Sequence, residues 1–342
     1  MLAAPRLPPL RAHWPLLTLA TVLAAGLAAP LATGAAAPGF YLEVLLGGLM
    51  SGVLYSLVAL GLVLIYKSSG VYNFAQGAMV LLAALATARL SEVMPLPAAI
   101  GAALLMMVAL AWLVERLVLR PLINQSPMAV FMATLGILYF IEGFGQLVLG
   151  NDIYKVDLGL PKDPVIVAQR WFEGGVLISP EDLVAAGIAA ALVAVLALFF
   201  QRTATGCALR AVADDQQAGQ AIGIPLGRIW FIVWSVAGFV ALVAGLVWGS
   251  KLGVQFSLAE VALKALPVVI LGGLTSVPGA IVGGLIIGVG EKMAEVFLSP
   301  VLASGLGVAG GGVENWFAYV LALLFLLVRP EGLFGERNIE RV

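Results

Sequence analysis

Apolar residues run along the chain in long blocks separated by short polar connections. The blocks cover 14–32, 42–66, 71–90, 97–119, 128–149, 183–200, 229–249, 258–298 and 316–328. About 20 apolar residues make a helix long enough to cross the hydrocarbon layer of a bilayer. Unpaired backbone groups are expensive in lipid, so such blocks form helices rather than open strands. The period-two alternation of a membrane barrel is absent. Block 71–90 is interrupted by Asn73, Gln76 and Gly77, and block 128–149 contains Glu142 and Gln146. Block 258–298 is too long for one crossing and is broken by Gly272, Gly273, Pro278 and Gly279. Two stretches are polar, 150–182 and 201–228.

Charge sets the expected orientation, because cytoplasmic connections are enriched in Lys and Arg. Arg6 and Arg11 precede the first block, Arg116 and Arg120 close the fourth, and Arg202, Arg210 and Arg228 lie in 201–228. Arg329, Arg337 and Arg341 follow the last block. These positions face the cytoplasm, as do both termini. Stretch 150–182 carries Lys155, Lys162 and Arg170 against Asp152, Asp157, Asp163, Glu173, Glu181 and Asp182, and reads as extracytoplasmic. Counting from a cytoplasmic head, the seventh block ends outside near Lys251. Block 258–298 must then cross twice or re-enter, with its turn at 272–279. The expected fold is therefore an all-α polytopic membrane protein with about ten transmembrane or re-entrant helices. The first block has a second reading: Arg6, Arg11, an apolar core and Ala35-Ala36-Ala37 also resemble a cleavable signal peptide. Its apolar core is long for that role, and the retained helix is preferred.

Composition narrows the function. Of 342 residues, 62% are hydrophobic and 11% charged, against roughly 45–50% and 25% for soluble domains. That excess excludes a soluble enzyme, a nucleic-acid binder and a disordered chain. The net charge of −1 points to no acidic partner. One Cys207 cannot form an intrachain disulfide, and one His13 cannot build a Ser-His-Asp set or a metal cluster. No G-x-x-x-x-G-K-[ST] occurs, so the chain has no P-loop for ATP. No cofactor is expected.

Stretch 201–228 is the most informative polar segment. Its middle reads as a short helix, with Leu209, Val212 and Ala213 on one face and Gly223 and Pro225 closing it. Such a helix can lie on the membrane or dock into a partner; its small residues and few bulky anchors favour docking.

The Thr203-x-x-Gly206-x-x-x-Arg210-Ala211 pattern, followed by Asp214, Ala218 and Gly223-Ile224, resembles the cytoplasmic coupling segment of ABC importer permeases. Within them it is most similar to the branched-chain (hydrophobic) amino acid permease family. Asn73-Phe74-Ala75-Gln76-Gly77 looks like that family's Asn-Phe-Ala-x-Gly motif. The stretch from Leu271 to Gly284 looks like its Gly-Gly-x-x-Ser-x-Pro-Gly-Ala signature, and Arg329-Pro330-Glu331-Gly332-Leu333-Phe334-Gly335 like its C-terminal motif. The resemblance covers about 42–335. Gln76 departs from it, since many members have His there, and so does the first block.

The resemblance implies a division of the chain into 1–41, a head with an extra helix; 42–335, the permease domain; and 336–342, a cytoplasmic tail. It implies a bacterial-type inner membrane and four kinds of partner besides the lipid bilayer. These are two ATP-binding cassette subunits, a second permease subunit, an extracytoplasmic solute-binding protein and the transported solute. Gly206, Arg210, Ala211, Asp214, Ala218, Gly223 and Ile224 would couple the chain to the ATPases. Hydrolysis on another chain fits the missing P-loop. The cargo would be a branched-chain or other hydrophobic amino acid, with urea or a short amide as the alternative.

Asn73, Gln76 and Gly77 either line the translocation path or join helices. Glu142 and Gln146, four apart, either wall that path or pair with a buried partner such as Lys264. Gly48-x-x-x-Gly52, Gly279-x-x-x-Gly283 and Gly284-x-x-x-Gly288 permit close helix approach. Trp14, Trp171, Trp230, Trp234 and Trp316 are placed for an interfacial belt. Two rival classes stay open. A stand-alone ion-coupled transporter needs paired intramembrane carboxylates; a membrane enzyme needs a convergent nucleophile, base or metal set.

Overall fold

Proline and serine punctuate the helix starts. In the computed structural model, which describes residues 37–335 apart from 71, 124, 151, 162, 173, 215 and 307–311, α1 (Pro38–Ser69) opens on a proline. It ends at Gly70, whose left-handed φ of 71° turns its N–H back to the Tyr66 carbonyl. α4 (Pro127–Leu149) and α5 (Pro180–Arg202) each start Ser-Pro, with Ser126 and Ser179 Oγ accepting from the backbone N–H of Ala129 and Asp182. Proline at the first helical position needs no N–H partner, and the serine satisfies a donor that would otherwise be orphaned. The first apolar block, the head and the tail 336–342 lie outside the described residues.

The remaining elements are α2 (Gln76–Ser91) and α3 (Leu96–Leu113), the latter extended by a π turn, Val114–Leu119, and a 3-10 turn, Arg120–Leu122. The connection 150–179 carries a short antiparallel hairpin, β1 (Val165–Val167) against β2 (Val176–Ile178), pairing Val165 with Ile178. Next come α6 (Ala204–Asp214), α7 (Gln216–Ala221), α8 (Leu226–Leu252), α9 (Ser257–Leu263) and α10 (Ala265–Gly272). α11 (Val277–Met293) continues through a π turn, Ala294–Leu298, into α12 (Ser299–Leu306), and α13 (Val313–Val328) closes the series. The hairpin was not expected from the polar composition of that connection.

Five of these helices are long and apolar enough to cross a membrane: Pro38–Ser69, Leu96–Leu122, Met128–Leu149, Pro180–Arg202 and Leu226–Leu252. A sixth span is possible by length if the bent pair Ser257–Gly272 and Val277–Ala303 is one unit; its halves meet at 117°. The break falls at the Gly-Gly-to-Pro-Gly stretch. Gly273 has φ 106°, and Ser276 Oγ caps the start of α11 by accepting from Gly279 N–H at 3.1 Å. Gly272 and Gly279 pack backbone to backbone, so a side chain at either would strike the other's carbonyl.

α2 and α13 have 16 residues each, about 24 Å of helix, short of a roughly 30 Å hydrocarbon layer. Residues 72–75 lead into α2 through a turn, with Gln76 N–H on the Asn73 carbonyl at 3.4 Å and Asn73 and Ala75 buried. Irregular backbone at such depth survives only inside protein, and Thr134 Oγ1 meets the Tyr72 carbonyl at 3.2 Å.

Contacts define the two ends of the bundle. At one end Lys251, near the end of α8, pairs with Asp182 at the start of α5. Tyr154 and Val254 form a β-bridge there, and Leu177 N–H of the hairpin donates to Glu43 on α1. At the other end Trp230 Nε1 donates to the Ser68 carbonyl, joining the start of α8 to the end of α1. Lys67, Arg210, Ser276 and Phe334 line one cleft at that same end.

The centre is a seam of small residues. α11 packs along α1, with Gly284 and Gly288 against Gly52 and Gly48. An ideal Cβ on Gly52 would lie 2.7 Å from the Gly284 carbonyl oxygen. The interface therefore uses two of the glycine pairs seen in the sequence as facing partners. Gly279 and Gly283 serve a different contact, against α10: a Cβ on Gly283 would lie 2.6 Å from the Val268 carbonyl.

The aromatic-belt expectation needs correcting for α8. Trp230 and Trp234 are 5% and 1% exposed, inside the core. Both lie on the face of α8 that packs against neighbouring helices, so nearness to a block end did not place them at an interface. Trp171 and Trp316 are exposed.

Candidate translocation and coupling sites

The Asn-Phe-Ala-x-Gly motif builds the start of α2. Asn73 Oδ1 accepts from the Ala75 N–H at 3.1 Å, and Asn73 Nδ2 donates to Gln76 Oε1 at 3.2 Å. Gln76 Nε2 donates in turn to the Ala237 carbonyl of α8 at 3.3 Å. The two amides, 1% and 2% exposed, satisfy one another and bridge helices. Gly77 allows close approach to α9, since a Cβ there would lie 2.6 Å from the Ala259 carbonyl. All three therefore sit within the bundle interior.

Glu142 and Gln146 lie on the outward side of α4: Glu142 half-buried, Gln146 exposed. The exposed Glu260 of α9 is close enough for its charge to act on Glu142. Tyr139 of α4 is also exposed, and on α13 the Tyr319 hydroxyl donates to the Leu263 carbonyl at 3.2 Å. Lys264 is not the partner of Glu142. Its ammonium sits 2.6 Å from Glu291 on α11, and Tyr55 on α1 donates to the same Glu291 oxygen at 3.2 Å. That cluster was missed in the sequence. The available signal was a lysine and a glutamate on the two sides of the Gly-Gly-to-Pro-Gly break.

Stretch 201–228, the expected coupling segment, folds back on the bundle. Leu209 and Val212 are buried, so the apolar face of α6 packs against the chain itself. Gly206 sits on the carbonyls of Phe199 and Phe200, leaving no room for a side chain, and its N–H donates to Thr203 Oγ1 at 3.0 Å. Arg210 donates to the Phe200 carbonyl, which ties α6 to the end of α5. Ala211 and Ile224 are half-buried, while Ala218 and Gly223 are exposed. Gly223 takes φ 89°, and Ile224 N–H closes on the Gly219 carbonyl at 3.0 Å. Asp214 ends α6; its side chain lies outside the described residues. The exposed surface of the stretch includes Cys207 and Ile222, the latter 74% exposed. Ile222 had not been singled out.

Among the described residues no group of three or more His, Cys, Asp or Glu could hold a metal ion.

The profile of the family described as "Branched-chain amino acid transport system / permease component" matches residues 44–329. The chain belongs to that family. The permease is 27% identical to the high-affinity branched-chain amino acid transport system permease protein LivH of Salmonella typhimurium, over 89% of this chain and 98% of that one. It is 29% identical to BraD of Pseudomonas aeruginosa, a permease protein of the same kind of system, over 88% and 98%. Fructose import permease protein FruF of Bifidobacterium longum is 24% identical over 84% of this chain and 78% of that one. The similarity to LivH and BraD thus runs almost the full length of both relatives. The motif between α1 and α2, stretch 201–228 and the break before α11 all lie inside the matched span.

Proposed function

We propose that this permease is one of two membrane subunits of an ABC importer and forms half of a translocation path for branched-chain or other hydrophobic amino acids. The observation that carries this reading is the family match across 44–329, to which LivH and BraD add named systems. An ion-coupled transporter and a membrane enzyme are not favoured beside such relatives. Two ATPase subunits bind the end of the bundle that carries α6 and α7, and a solute-binding protein delivers cargo at the opposite end.

The ten-segment arrangement completes that topology. The first apolar block enters from a cytoplasmic head. α1, α2, α3, α4, α5 and α8 alternate in direction, α9 with α10 returns inward, α11 goes out, and α13 comes back to a cytoplasmic tail. The end-to-end contacts support it: Asp182 with Lys251 and Tyr154 with Val254 at one end, Ser68 with Trp230 at the other.

The path wall is the flank bearing Glu142, Gln146 and Glu260. Carboxylates and amides facing hydrocarbon are expensive, and such residues turn toward a cavity or a neighbouring subunit. Asn73, Gln76 and Gly77 stand behind that wall and hold the start of α2. Coupling runs from the exposed Ala218, Ile222 and Gly223 through Gly206 and Arg210 to the end of α5. ATPase closure moves this element, and the bundle switches between outward and inward access.

Reconstitution tests the reading. The permease is co-purified with its neighbouring-gene ATPases, second permease and binding protein, and uptake of labelled leucine into proteoliposomes is followed. ATP-dependent uptake that requires the binding protein supports it. Uptake of fructose, urea or an amide in place of leucine would overturn the cargo assignment.

A further inference from the structure

A second site lies away from the path, where α3 ends and α8 begins. A cleft of about 580 Å³ opens there, lined by Glu115, Arg120, Gln220, Ile224, Arg228 and Phe231 among others. Three features set it apart. Arg120 and Arg228 are both exposed, and neither takes part in an ion pair among the described residues. Glu115 is only 8% exposed and has no hydrogen-bond or ion-pair partner among the described residues. Its carboxylate lies over Gly227, where an ideal Cβ would come within 2.5 Å of Oε1, so any larger residue at 227 would displace it. Glu115 also sits in the π turn of α3, a local widening of a helix often found at functional sites.

Neither carboxylate oxygen of Glu115 is among the buried side-chain atoms left without a partner, so the group opens onto the cleft, and the two guanidiniums at the rim form no ion pair with it in the structure. The cleft instead presents two cationic donors at its rim and one anionic acceptor deeper in. The surrounding surface has the residue types of a membrane boundary. Trp112, Leu113 and Leu117 are exposed on the same helix one and two turns earlier, and the Arg116 guanidinium lies 5.6 Å from the Trp112 ring. Basic clefts between helices at this depth suit lipid headgroups, and Trp with Arg marks the headgroup level.

We propose that this cleft binds the headgroup of an aminophospholipid, with Arg120 and Arg228 on the phosphate and Glu115 on the primary ammonium. The acyl chains then run along Leu113 and Leu117. A phosphate alone leaves Glu115 unpaired, a purely anionic headgroup places more negative charge beside it, and a choline headgroup offers it no N–H donor. Because Gln220 and Ile224 form the opposite wall, the bound lipid bridges α3 and the coupling stretch.

Native mass spectrometry of the full-length chain in mild detergent tests this. Phosphatidylethanolamine, phosphatidylglycerol and phosphatidylcholine are offered in equal amounts, with inorganic phosphate in a separate arm. The wild type retains phosphatidylethanolamine at activation energies that strip the other two. Glu115→Gln lowers the phosphatidylethanolamine-to-phosphatidylglycerol ratio about tenfold, the worth of a hydrogen bond to a charged group. Arg120→Gln with Arg228→Gln lowers retention of both lipids about 25-fold, roughly fivefold per arginine. Gln220→Trp, at an exposed position that does not threaten folding, fills the cleft and displaces phosphatidylethanolamine even if the Glu115 variant does not fold. Equal retention of all three lipids, preference for phosphatidylglycerol, or displacement of lipid by inorganic phosphate would overturn the proposal. So would an equal loss in Arg170→Gln, a control in the connection at the opposite end, or undiminished binding in Gln220→Trp.

Discussion

Lys264 donates to Glu291 at 2.6 Å across the interface between α10 and α11, and Tyr55 donates to the same oxygen from α1. Lys264 occupies the junction between α9 and α10. The pair therefore ties the junction between α9 and α10 to the two helices that form the glycine seam. The side chains are 17% and 6% exposed, so removing one partner strands a buried charge. Breaking such a pair costs about 3–5 kcal/mol, whereas an apolar replacement of both is often tolerated. Glu291→Ala should lose that amount of stability in detergent unfolding, and Lys264→Met with Glu291→Met should recover most of it. A single variant as stable as wild type would refute the role of the pair.

The α1–α11 seam makes a second prediction. Gly52 has no room for a Cβ, whereas nothing lies within 4 Å of one built on Gly47. Gly52→Val should abolish the monodisperse peak in size-exclusion chromatography, and Gly47→Ala should elute like wild type. Equal behaviour of the two would mean that the helices do not approach this closely.

The C-terminal motif acts as a strap. After α13 the chain returns to the break, where Leu333 and Phe334 N–H donate to the Leu271 and Gly272 carbonyls at 2.8 and 3.0 Å. These bonds satisfy the last carbonyls of α10, which its own helix cannot. Gly332 has φ 82°, and its Cβ would lie 2.7 Å from the Gly273 backbone. Gly332→Ala incurs about 1–2 kcal/mol for the left-handed conformation alone, with the clash in addition. Limited proteolysis should cut this variant after α13 faster than wild type. Equal cutting rates would contradict the strap.

The exposed edge of the coupling stretch yields a fourth. Ile222→Asp changes a solvent-facing residue and should leave folding intact while preventing co-purification with the ATPases. Retained co-purification would place docking elsewhere.

Much of this was legible in the sequence because the physics is one-dimensional. Block length and the lipid requirement for paired backbone groups gave helices at 42–66, 128–149 and 183–200, and α1, α4 and α5 lie there. The glycines and prolines of block 258–298 placed its turn at 272–279, where backbone meets backbone. What failed depends on which way a helix faces. Leu209 and Val212 announce an apolar face, but periodicity does not say whether that face meets a partner or the chain's own bundle. Trp230 and Trp234 were misplaced for the same reason. Lys264 and Glu291, 27 residues apart, meet only because the chain doubles back at Gly272 and Gly273. The amides Asn73 and Gln76 were seen as a pair at helical spacing, but their third partner, the Ala237 carbonyl, has no sequence signature.

The central claim is that the permease moves only when separate ATPases drive it through the segment carrying α6 and α7. The most direct measurement is labelled leucine uptake into proteoliposomes holding both permease subunits, with binding protein and ATP supplied, in the presence and absence of the ATPases. The account predicts accumulation only when they are present. Concentrative uptake by the membrane subunits alone, driven by an ion gradient, would contradict it.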